Sequence, residues 1–138
     1  MQDKNQAFTL TELMIVVVIL GIMAGFAIPN YQRAIVRAHE RDAVIQLTAL
    51  NAANLIFYTN NNNQYGGPFN SLQAINAGLG INIIANDMTY AYNLTAPTTY
   101  NATAQYGANF TIRVNETAVS GTNPCCVTAG SCRTIPNC

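Results

Sequence analysis

The sequence has no tryptophan, one histidine, and charged residues at only 9% of its 138 positions. His39 has no Cys, Asp or Ser at catalytic spacing, and neither a Gly-rich phosphate loop nor a metal-ligand cluster accompanies it. No enzymatic activity and no cofactor are therefore expected, and His39 reads as a surface residue. Formal net charge is zero, which removes the bulk electrostatics on which nucleic-acid and anionic-surface binders rely. No specific nucleic-acid partner is predicted. The charges are also unevenly placed. Arg33, Arg37, Glu40, Arg41 and Asp42 crowd together, and beyond them only Asp87, Arg113, Glu116 and Arg133 are charged. The rest of the chain must stay soluble through Asn, Thr, Gln and Tyr. The length allows one modest domain plus, at most, one appended element.

What is abundant is apolar sequence near the start. Leu13 to Ile28 is a sixteen-residue run without charge, and adding Phe8, Leu10 and the two threonines brings it to membrane length with Glu12 inside the boundary. A secretory signal peptide has a comparable apolar core, but no A-x-A cleavage site precedes a new domain start. Instead, helical periodicity continues. Ile35, Ala38, Ile45, Ala49, Ala52 and Ile56 trace one stripe, and Ala43, Leu47, Leu50 and Phe57 trace a neighbouring one. A cut at the usual place would sever a helix. A carboxylate inside hydrocarbon is costly, so Glu12 either snorkels to the headgroups or awaits a cation. Lys4 is badly placed to supply it, whereas a freed α-amino group on another copy of the chain would serve.

All four cysteines, Cys125, Cys126, Cys132 and Cys138, lie in the last fourteen residues. An even number crowded at one end, behind an apolar N-terminal segment, points to an oxidising compartment and two disulfides. A vicinal Cys125–Cys126 bond would be strained, so each is expected to join Cys132 or Cys138, in an order the sequence leaves open. A four-thiolate zinc site is the rival, without the paired C-x-x-C knuckles such sites use. Asn93, Asn101, Asn109 and Asn115 each begin an N-x-T sequon, a number that chance explains in a chain so rich in Asn and Thr.

The stretch "FTLTELMIVVVILGIMAGFAIP" resembles the N-terminal signature of type IV pilins and the related type II secretion pseudopilins. The likeness is strong over about the first 30 residues and looser along "NYQRAIVRAHERDAVIQLTALNAANLIFYTNNNNQYG"; the terminal cysteines fit the family's disulfide region in kind. The resemblance implies a leader of residues 1–7 cut by a prepilin peptidase between Ala7 and Phe8, and N-methylation of the Phe8 amine. It implies a membrane anchor and filament core over 8–31 and a globular pilin domain over 32–138. It also implies that Glu12 serves subunit recruitment, methylation or both, its carboxylate neutralising the Phe8 amine of a neighbour inside an apolar bundle. Ala7 departs from the usual glycine before the cut, and Thr11 replaces a branched apolar residue. The positive-inside rule would place Arg33, Arg37 and Arg41 in the cytoplasm. The resemblance implies the opposite orientation, and the cysteines agree with it.

Gly21 and Gly25 form a G-x-x-x-G, with Pro29 one turn later. Such a motif can bring membrane helices together. The alternative is energetic: Gly costs about 1 kcal/mol and Pro about 3 relative to Ala inside a helix. Gly21 to Pro29 is then the weakest part of the rod, with a kink at Pro29. By resemblance it loses helical structure in the assembled fibre. Arg33, Arg37 and Arg41 repeat at i, i+4 and i+8, either as a solvated face or as contacts with headgroups and then with acidic groups of adjacent subunits. From Phe8 to Tyr58 a helix would extend roughly 75 Å. A globule of this size cannot bury that length, so the apolar half must project and be covered by lipid before assembly and by other subunits afterwards.

Helical character ends at "TNNNNQYGG", and "PFNSLQAINAGLGINIIAND" reads as a connection with short helical or strand pieces. Alternation follows in Met88, Tyr90, Tyr92 and Leu94, then Tyr100, Ala102, Ala104 and Tyr106, then Phe110, Ile112 and Val114, with Gly107 at a hairpin turn. The expected fold is α+β: a pilin fold whose long N-terminal helix has a projecting apolar half and an amphipathic half. The latter packs on a three- to four-stranded antiparallel sheet with a disulfide-stapled C-terminal region. The expected function is a structural subunit of a type IV pilus, anchored in the bacterial inner membrane and then carried in an extracellular fibre for adhesion, twitching motility or DNA uptake. Its partners would be copies of itself, other pilins, prepilin peptidase, the inner-membrane assembly machinery and lipid. The rival is a type II secretion pseudopilin, whose major form usually carries a calcium loop of acidic residues.

Overall fold

A computed structural model of the chain describes residues 8–116, 123–128 and 130–138. Helix α1 runs without interruption from Leu10–Asn60, through Pro29. The chain divides into two compact units after Ile35. In the first, the apolar side chains have no partners: Leu13, Val17, Leu20 and Met23 are 61%, 58%, 59% and 63% exposed. By length and composition this part of α1 could cross a membrane, and none of its apolar window is buried. Its weak point is visible in the hydrogen bonding. Pro29 cannot donate to the Gly25 carbonyl, while the Asn30 side chain donates to the Phe26 carbonyl at 3.2 Å.

In the second unit, Ala43, Leu47 and Leu50 of α1 are fully buried in the core. Of the two stripes the sequence offers, the structure buries this one and leaves the other outside, with Ile45 and Ile56 67% and 62% exposed. A short helix, α2 (Leu72–Leu79), starts on Ser71, whose hydroxyl accepts from the Ala74 amide, and ends at Gly80 in the left-handed region. Gly78 lets α2 sit on Phe69: a Cβ there would fall 2.2 Å from the ring.

Four antiparallel strands follow, in the order β1 (Thr89–Ala96), β2 (Thr99–Tyr106), β3 (Phe110–Asn115) and β4 (Cys125–Cys126). The alternation seen in the sequence matches the burial: Met88, Tyr90, Tyr92, Tyr100, Ala102, Ala104, Phe110, Ile112 and Val114 all face the core. The β2–β3 hairpin turns at Gly107, with the Asn109 amide closing on the Tyr106 carbonyl at 3.0 Å. Disulfides join Cys125 to Cys138 and Cys126 to Cys132. They consume all four thiols and so leave no zinc site.

A buried polar thread ties the loops to the helix. Asn54 donates to the Tyr92 hydroxyl at 2.8 Å, and that hydroxyl donates to the Gly66 carbonyl at 2.7 Å. Tyr100 donates to Asn51. Burial pushes the Tyr92 phenol up to about 12, slightly offset by the Asn54 hydrogen bond, and also raises Tyr90, Tyr100 and Tyr65.

Candidate functional site

The N-terminal end of α1 holds the chemistry that the rest of the chain lacks. Ala7, the residue expected before the cleavage point, lies outside the described residues, as does the whole leader 1–7. Phe8 is 86% exposed. Thr9 caps the helix: its hydroxyl accepts from the Glu12 amide at 3.3 Å. Glu12 answers through a single oxygen, Oε2, which accepts from both the amide and the hydroxyl of Thr9 at 2.8 Å. This is a reciprocal capping box, T-x-x-E. Its signal stood in the sequence as Thr9 and Glu12, overlooked beside the greater strangeness of an acid in an apolar run.

The box changes what Glu12 can do. It fixes the carboxylate beside the helix end, where the N-terminal dipole favours negative charge, and satisfies amides that hydrocarbon could not. Among the described residues Oε1 has no hydrogen-bond partner. One oxygen holds the residue's own helix start, and the other remains open to a donor from elsewhere. Phe8, Glu12, Leu13, Ile15 and Val16 line one shallow, largely apolar depression that lies open to its surroundings.

Gly21 and Gly25 sit further along, each with no atom near the position a Cβ would take. Among the described residues nothing requires their smallness. Pro29 lies inside the helix. Cys125, Cys126, Cys132 and Cys138 belong to the other unit and form the two disulfides. No group of three or more His, Cys, Asp or Glu among the described residues could hold a metal.

One acid among the arginines of α1 proves to be internal. Glu40 is only 1% exposed. Its Oε1 accepts from the amides of Arg133 and Thr134 at 2.9 and 2.7 Å and from the Thr134 hydroxyl at 2.6 Å. It thereby ties the disulfide-bonded tail to α1. Asp42 accepts from Gln46 and Asn86, each at 3.0 Å, and Gln46 clasps the backbone of Ile84 in both directions. His39 stacks on Tyr106, ring centroids 4.2 Å apart.

Comparison with known proteins bears on the same N-terminal segment. A family model described as the prokaryotic N-terminal methylation motif matches residues 2–28. The chain is 45% identical to the type IV major pilin protein PilA of Myxococcus xanthus (strain DK1622) over 56 residues, 41% of this chain and 26% of that protein. It is 40% identical to the type II secretion system core protein G of Aeromonas hydrophila over 76 residues, 54% and 52% of the two chains. A fimbrial protein of Pseudomonas aeruginosa is 50% identical over 49 residues, 36% of this chain and 32% of that one. The chain thus spans between 26% and 52% of the length of these relatives.

Proposed function

We propose that this chain, whose N-terminal segment carries the signature of the type IV pilin and type II secretion pseudopilin superfamily, is a structural subunit of a type IV pilus. It is cut between Ala7 and Phe8 by a prepilin peptidase, methylated on the Phe8 amine and held in the inner membrane by residues 8–31. It is then polymerised through that segment, with 32–138 as the body displayed on a surface fibre. Adhesion, twitching motility or DNA uptake belongs to the fibre, not to a site on one copy. The observation that carries this reading is the apolar segment of α1, unburied throughout, with one acid whose Oε2 is spent on the capping box and whose Oε1 is open. The Phe8 amine of another copy is the complementary group, and pairing the two in an apolar bundle fixes axial register.

A secretion pseudopilin is the second reading, favoured by the longer match to the Aeromonas protein. The pilus reading is supported by the two terminal disulfides and by a body whose only acids after Asp42 are Asp87 and Glu116, too few for an acidic calcium loop. Filaments sheared from the cell surface should yield, by mass spectrometry, a chain beginning at N-methylated Phe8. Glu12→Ala should be processed yet scarce in those filaments. A chain found intact upstream of Phe8, monomeric and free of membrane, would overturn the proposal. Loss of protein export on deletion, with no surface fibre lost, would transfer it to the pseudopilin.

A further inference from the structure

The body carries few charges, and the structure gathers most of them onto two surfaces of opposite sign. Arg37 and Arg41 of α1 and Arg133 of the tail line one depression of about 500 Å³ with Thr134. Arg133 reaches it because Glu40 holds the Arg133 and Thr134 amides and Cys132, next in the chain, is bonded to Cys126. All three arginines are exposed, and none forms an ion pair among the described residues. Asp42 and Asp87 line a second depression of about 370 Å³ with Ala38, His39 and Asn86. Asp87 is exposed.

Both depressions are built on the same turns of α1. At about 100° of rotation per residue, the Arg37–Arg41 edge and the Ala38–Asp42 edge face directions roughly 100° apart on the helix. The sector between them holds Ile45 and Ile56, both exposed, while Leu47 and Leu50 point the other way into the core. At about 1.5 Å per residue, Ile45 lies beside the two charged depressions and Ile56 about 20 Å beyond them along α1. The two surfaces are complementary to each other; in a filament, where one operation relates each copy to the next, a contact between them is head-to-tail and propagates.

We infer that the Arg37/Arg41/Arg133 surface of one copy docks on the Asp42/Asp87 surface of the next, and that this pairing sets the lateral order of bodies along the fibre. The inference rests on the filament reading. It adds a specific contact between bodies to the association of N-terminal segments. The occupant is a second copy of this chain because the acidic counterpart of the arginine surface is present on the same molecule. A phosphate headgroup would not require it.

Charge reversal tests it in the full chain, in the cell that makes the fibre. Arg37→Glu/Arg41→Glu alone, and Asp87→Lys alone, should each lower the yield of sheared filaments about tenfold, through like-charge juxtaposition. Combining both reversals in one chain, or co-expressing the two variants so that they alternate, should restore most of the yield. Cleavage before Phe8 and membrane retention should be unchanged in every variant, which separates failure of this contact from failure of the pilin reading. Thermal melts in detergent check folding. A variant that melts early is replaced by Arg37→Gln/Arg41→Gln or Asp87→Asn, for which a smaller loss of filaments is expected. Normal filaments from the single reversals, or no rescue in the combination, would overturn the inference. So would release of the arginine variant from the membrane with filaments of the aspartate variant intact, which would assign the guanidinium groups to lipid phosphate.

Discussion

Glu40 and Glu12 are both acids on α1, and each uses one carboxylate oxygen to hold something specific in place. Glu40 organises a tail 93 residues away, so Glu40→Ala should cost about 1–3 kcal/mol by stranding two amides and a hydroxyl. The check is a thermal melt in detergent, with hydrogen exchange showing the Arg133 and Thr134 amides losing protection first. Nothing local announced that role. An acid between arginines reads as a solvated charge, and the partner lies at the other end of the sequence. The T-x-x-E box at Thr9 and Glu12 was the opposite case, a local signal that could be read directly. The buried tyrosines give a pH expectation. Tyr92 ionises near 12 in the folded chain, against about 10 when unfolded, and Tyr90 and Tyr100 are shifted in the same direction by burial. Each raised value means that the folded state binds its proton more tightly. The stabilisation is complete below pH 10 and is lost as pH rises from 10 through 12. Melting temperature should fall across that window, and the part of the tyrosinate absorbance lost when Tyr90, Tyr92 or Tyr100 is replaced by Phe should appear late, in step with unfolding. That part rising near pH 10 in a still-folded chain would contradict it.

Among the elements, α1 was the most legible, because an unbroken apolar run leads into apolar stripes of helical period, and the helix continues through Gly21, Gly25 and Pro29. The strands were legible from alternation, since Tyr90, Tyr92, Ala102, Ala104, Ile112 and Val114 all turn inward. Strand β4, two residues long, is too short to show a period. Which of the two stripes on α1 faces the sheet could not be read, because the buried face includes Glu40 and Asn54 while its rival is purely apolar. The sheet, the Gly66 loop and the tail supply the acceptors and donors that make those two residues internal. Within α1, the segment from Gly21 to Pro29 lacks one backbone hydrogen bond at Gly25 and carries two glycines. As a single chain it is helical throughout, so its weakness should appear only when packing competes for it. In assembled filaments its amides should exchange faster than those of Leu13–Leu20. Pro29→Ala, which restores a donor and removes a ring clash worth about 3 kcal/mol, should slow that exchange and stiffen the fibre under stretching. Equal protection across both stretches in the wild-type fibre would remove the argument.

At the scale of the whole chain, stability and association are housed in different residues. Every member of the hydrophobic core lies at or beyond Val36, whereas the most continuous exposed apolar surface lies before it, with Leu10 and Phe26 77% and 72% exposed. Among the described residues, none before Val36 belongs to the core cluster. Removing residues 1–35 should therefore leave a body that melts within roughly 5 °C of the full chain in detergent, since only a frayed helix start is added. Glu40 then lies in the first two turns of the shortened helix, held by the same three donors. The shortened chain should sediment as a monomer in water, its remaining exposed apolar residues Ile45, Leu55 and Ile56 forming too narrow a strip for stable association. The full chain should require lipid, detergent or its own kind, because about 0.8 kcal/mol per exposed methylene accumulates along the whole segment from Leu10 to Ile28. A shortened chain that aggregates or fails to melt cooperatively would show that the core needs the N-terminal helix after all. A full chain that stays monomeric without detergent would show that its apolar segment drives no association, and with it the physical basis for a fibre would be gone.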